Sequence, residues 1–166
     1  MTRSRLSRAG LAIAALTAAL ALPLGALAGS QVPLEGADAG GFGPGDHSCA
    51  PGYDSLDIDG TGNATHVGTY AYHADECFSG ATLLFDGSFT ITAANGDTVV
   101  GTYSGVVPSI DFPVAVYEQG AEITGGTGRF AGASGEFHVS GLANLATGAY
   151  SQALSGVVSS PGAAKK

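Results

Sequence analysis

The chain has 166 residues, of which 27 are glycine, 14 are acidic and six are Lys or Arg; it has no tryptophan. Glycine at about twice its ordinary share, and charged residues at about half theirs, exclude coiled coils and long helical bundles. A hydrophobic content of 45% argues against charge-driven disorder, and no Gly-x-y period supports a collagen triple helix.

Residues 1–28 read as a secretory signal peptide. Arg3, Arg5 and Arg8 form a basic start, Leu11 to Leu22 an apolar run, and Ala26-Leu27-Ala28 a small-x-small cleavage site. The apolar run is short for a membrane span and ends at Pro23. The expected product is exported, either periplasmic or extracellular, and free of the membrane once cleaved. Cleavage leaves Arg129, Lys165 and Lys166 against all 14 acids, a formal charge of −11. That surface repels phosphate backbones, so nucleic acid is excluded as a partner.

Residues 29–48, rich in Gly, Pro and Ala, read as a flexible linker. The barrel-forming domain is expected at 49–159 and a tail at 160–166. Cys49 and Cys77 are the only cysteines, which in an exported chain predicts a disulfide. Closing a loop of this length stabilises by roughly 3–4 kcal/mol. The alternative, a Cys/His metal site with His47 or His73, fits an oxidising compartment less well.

From there the period is two. Tyr53–Asp59 supplies an early strand, and Ala64–Ala74 a β-branched and aromatic one. In 81–93, Leu83, Phe85, Phe89 and Ile91 alternate with Thr82, Asp86, Ser88 and Thr90; Gly87 marks a bend or bulge. Asn95-Gly96 predicts a hairpin into a return strand at 98–107. Further strands are expected at 114–124, 136–145 and 149–159. No segment shows helical periodicity. The expectation is an all-β fold, a single closed antiparallel barrel of about eight strands, which leaves no exposed edge.

The segment Ile123-Thr124-Gly125-Gly126-Thr127-Gly128-Arg129-Phe130-Ala131-Gly132-Ala133-Ser134-Gly135 is a glycine-rich corner, with no Lys and no helix after it to make a phosphate loop. Together with Gly62-Asn63-Ala64-Thr65-His66-Val67-Gly68 and Ala93-Ala94-Asn95-Gly96-Asp97-Thr98, it resembles small exported bacterial members of the allene oxide cyclase and dirigent-like barrel superfamily. The resemblance implies an eight-stranded barrel with an apolar cavity. It maps no catalytic residue.

The candidate chemistry is sparse. His66, placed on a strand face with Tyr70 and Tyr72, is a candidate acid–base group; Tyr103 and Glu118 are others, and Tyr70 and Tyr72 are candidate ligand contacts. Asp57 and Asp59 imitate the start of a calcium loop, but Gly68 stands where such a loop needs Glu. No cofactor is expected. The leading expectation is a secreted barrel binding a small hydrophobic ligand. The alternatives are an isomerase or cyclase-like enzyme using the same cavity, and a cell-surface or extracellular structural or interaction protein.

Overall fold

The structure, a computed structural model, describes residues 30–159; the expected signal peptide and tail lie outside the described residues. Eight strands run in order: β1 Gln31–Pro44, β2 Asp54–Ala64, β3 Gly68–Ser79, β4 Leu84–Ala93, β5 Thr98–Asp111, β6 Val114–Gly126, β7 Ser134–Asn144 and β8 Ala149–Ser159. Each pairs antiparallel with its neighbours in sequence, and β1 pairs with β8 to close the barrel. One 3-10 turn, Gly128–Phe130, interrupts the β6–β7 connection.

The first strand corrects the linker expectation. Residues 31–44 alternate inward at Leu34, Gly36, Asp38, Gly40 and Phe42, a period of two that bulky side chains do not announce. Without this strand the sheet would have two open edges.

Several glycines face inward because aromatic rings from other strands occupy the space of a side chain there. Tyr103 lies across Gly87, Phe89 across Gly101, Phe85 across Gly105, Tyr117 across Gly141 and Tyr150 across Gly60. A Cβ at any of these glycines would collide with the ring. Gly87 is therefore an aromatic berth rather than a bulge, and β4 keeps register with both neighbours. The irregularities lie instead between β5 and β6, at Val100/Gly101 and Val106/Ser109.

The strand expected at 64–74 is also revised. β2 ends at Ala64, a tight turn at 65–67 follows, and β3 starts at Gly68. His66 adopts φ 63° in this turn, a region in which histidine is enriched among non-glycine residues. The Asn95-Gly96 hairpin forms as expected, with Gly96 at φ 86°.

One end of the barrel is closed. Phe130, only 2% exposed, is driven into it by the 3-10 turn and packs with buried Leu34, Val67, Val99 and Ile123. Arg129 ties the turns together. Its Nη2 donates to the Val67 carbonyl at 2.7 Å, its Nε lies 3.7 Å from Asp97 Oδ2, and its guanidinium sits 4.8 Å above the Phe130 ring. Phe130→Ala should lower unfolding free energy by ~3–5 kcal/mol, measured by urea denaturation. Phe112→Ala, at a side chain 73% exposed, should change it by less than about 0.5 kcal/mol.

Candidate functional site

Above the closed end the interior is filled by Phe89, Ile91, Phe137 and Leu154, with the Phe89 and Phe137 rings edge to face at 5.5 Å. Toward the other end the filling stops, and a cavity of about 390 Å³ opens. Its walls are mainly apolar, including Phe42, Leu56, Phe78, Phe85, Val107 and Ala143; its polar lining is Tyr72, Glu76, Gln119, Tyr117, Tyr150 and Gln152. The volume and the mixture of apolar walls with a few polar groups are those of a small-molecule site.

Two hydrogen-bonded groups make up the polar part. In the first, Tyr103 Oη donates to Glu76 Oε2 at 3.0 Å. Glu76 is inward because it continues the alternation Tyr70, Tyr72, Ala74 along β3. Burial raises its carboxyl from 4.5 to about 7; the Tyr103 hydrogen bond opposes that shift and the charge of Asp86 adds to it. Burial also pushes the Tyr72 and Tyr103 phenols well above their usual range. In the second group, Asp38 of β1 accepts from Tyr70 Oη at 2.8 Å and from Gln152 Nε2 at 3.1 Å, while Gln152 Oε1 accepts from Tyr117 Oη at 2.9 Å. The Tyr150 hydroxyl is buried against Gly60 and finds no partner in hydrogen-bond geometry. Burial, then the charge of Asp38, raises its pKa.

The sequence-derived candidates divide. Tyr72 lines the cavity; Tyr70 points inward but is held behind it by Asp38; Tyr103 supports Glu76. His66 is corrected: it is exposed in a turn at the closed end and shares no face with the tyrosines. Glu118 is corrected too, since β6 turns Tyr117 and Gln119 to the interior side and Glu118 to solvent. Asp57 and Asp59 sit on β2 in regular pairing with β3, not in a calcium-type loop. Cys49 and Cys77 form the expected disulfide. Glu76 and Gln152 were missed although the period of two reaches both, and Asp38 was missed with its strand.

The architecture is that of a dirigent-like barrel. No family model and no curated protein matches the sequence. Among solved structures, a pterocarpan synthase dirigent protein superposes with a TM-score of 0.59 at 13% identity, over 87% of this chain and 97% of that one. At that identity the likeness shows the fold alone. No helix among the described residues is long and apolar enough to cross a membrane.

Glu76 makes stability depend on pH. Between the ordinary carboxyl value and about 7, the unfolded chain loses a proton that the folded chain keeps, so folding weakens as pH rises through this window and levels off above it. Glu76→Gln should remove that decline, and at about pH 8 should be the more stable protein by on the order of 2–3 kcal/mol. Tyr103→Phe, lacking the bond that favours the charged form, should move the inflection to higher pH. Urea denaturation of the three proteins across pH, compared as differences, checks both.

Proposed function

We propose that this is an exported barrel that binds a small hydrophobic molecule in the cavity at its open end. The carrying observation is the cavity itself: the lower interior is packed solid, yet about 390 Å³ remains, walled by apolar side chains. Well-packed interiors rarely leave voids of this size without use. The dirigent-like fold supports the reading, since the similar structure is named as a synthase of a small molecule. A disulfide fits the oxidising compartment that a signal peptide implies.

The lining holds Glu76 and no Lys or Arg, and Asp38 lies just behind it. A bound carboxylate would be desolvated beside like charge with no cation to offset it. The ligand is therefore neutral or cationic at its polar end. The same cavity supports a second reading, acid–base chemistry on the bound molecule, because Glu76 exchanges its proton near neutral pH.

Nile red, a neutral dye whose emission rises in apolar surroundings, tests the site. It should bind saturably at one per chain, and Ala143→Trp, which projects a ring into the empty space, should abolish binding while leaving the urea midpoint nearly unchanged. A long-chain alcohol should displace the dye at least about tenfold better than the fatty acid of the same length at about pH 8. No saturable uptake, or uptake unaffected by the tryptophan, would sink the proposal. Native mass spectrometry of protein from its own source would reveal a retained ligand by mass.

A further inference from the structure

The outer face of β2 and β3 carries a second set of chemistry. Glu76 points into the cavity, while His73 and Asp75, which precede it along β3, point out, beside Asp57 and Asp59 of β2. Asp57 and Asp75 are direct cross-strand partners, and like charges so placed repel. Arg129 is the sole Lys or Arg between residues 30 and 159, and it is engaged with Val67 and Asp97 at the closed end. Among the described residues, the groups set against this pair are histidines, His47 and His73.

The β1–β2 connection lays His47 over the two carboxyls. Its Nδ1 is 3.4 Å from Asp57 Oδ1 and 3.7 Å from Asp75 Oδ1. The far side of the ring fixes what Nδ1 can do. Nε2 lies 3.0 Å from the Glu76 carbonyl oxygen. A carbonyl only accepts, so Nε2 carries the hydrogen. In the neutral ring, Nδ1 then carries the lone pair and accepts from the Ser55 hydroxyl at 3.0 Å, with the two carboxyl oxygens beside it. An imidazole held by a backbone carbonyl on one nitrogen, with a lone pair on the other, is the arrangement in which histidine ligates metals, and here an ion would displace the Ser55 contact.

We propose that His47 Nδ1, Asp57 Oδ1 and Asp75 Oδ1 bind a divalent transition-metal ion of the zinc type. Two donors on a tetrahedral ion, with bonds of about 2.0–2.1 Å, stand about 3.3–3.4 Å apart. The separations from Nδ1, 3.4 and 3.7 Å, are close to that, and the three donor atoms all lie within 4.8 Å of one another. An imidazole among the donors selects zinc-type ions over calcium and magnesium, which take oxygen. The half-exposed carboxyls leave the fourth position open to solvent, and His73 Nε2, 3.6 Å from Asp75 Oδ1, stands next to it. The disulfide anchors the connection two residues after His47. Both cysteine sulfurs are spent in that bond, which leaves oxygen and imidazole as the donors.

The test is isothermal titration of the untagged, chelator-treated protein with zinc chloride. One ion per chain should bind, and excess calcium should not displace it. His47→Ala and Asp75→Asn should each weaken binding about tenfold or more, while Glu122→Gln on the far wall should leave it unchanged. Asp57→Asn, a substitution on an open strand face, serves if the histidine variant fails to fold. Cobalt in place of zinc should show the intense visible bands of a tetrahedral site. Absence of one-site binding, or binding that survives the ligand substitutions, overturns the proposal.

Discussion

The structure depends on fitting aromatic rings inside a narrow barrel. Eight strands enclose a space just wide enough for side chains. A ring pointing in from one strand therefore needs an absent side chain on the next. The chain meets this by pairing rings with glycines: Tyr103 with Gly87, Phe89 with Gly101, Phe85 with Gly105, Tyr117 with Gly141. This matching accounts for much of the glycine excess within the strands. It also aims the hydroxyls. A tyrosine laid flat across its neighbouring glycine reaches sideways along the wall, which is how Tyr103 meets Glu76 and Tyr117 meets Gln152. The polar lining of the cavity follows from the same constraint that fills the rest of the interior.

The two ends differ because their connections differ. At one end, Gly128 at φ 57° lets the chain turn against the Asp97 carboxyl, which brings Arg129 and Phe130 over the opening. Every connection there is short or folded inward. At the other end, the connections after β1, β3, β5 and β7 send no comparable plug into the interior, and Leu142, Leu145, Ile110 and Phe112 stand exposed around it. The contents of the barrel are graded accordingly: aliphatic and phenyl groups at the closed end, hydrogen-bonded polar groups in the middle, open space at the mouth.

The sequence made the barrel legible where inward positions are bulky. The β4–β5 hairpin, with Phe85, Phe89 and Ile91 alternating before Asn95-Gly96, and β8 at 149–159 read directly. β1 did not, because its inward positions include Gly36, Asp38 and Gly40, and at the two glycines the room for a side chain is taken by β2, at Asn63–Ala64 and at Asp59–Gly60. A one-dimensional pattern cannot show space filled from another strand. The β2–β3 turn was hidden for a local reason: His66 takes a left-handed conformation without glycine, so the β-rich residues on both sides read as one strand. That error misplaced His66 as a cavity group. Glu76 was open to discovery, since extending the Tyr70–Tyr72 face by four residues reaches it.

β3 shows why inner and outer chemistry occur at one level of the barrel. Asp75, Glu76 and Cys77 are consecutive, so their side chains must alternate across the wall. Glu76 presents its carboxyl to the cavity, and its backbone carbonyl accepts from His47 on the connection crossing the outside. Cys77 fixes that connection covalently through Cys49. The disulfide thus does more than shorten the unfolded chain's freedom. It holds the β1–β2 connection against the strand that carries the cavity's acid, so the His47 ring and the Glu76 carboxyl are placed by one short length of backbone.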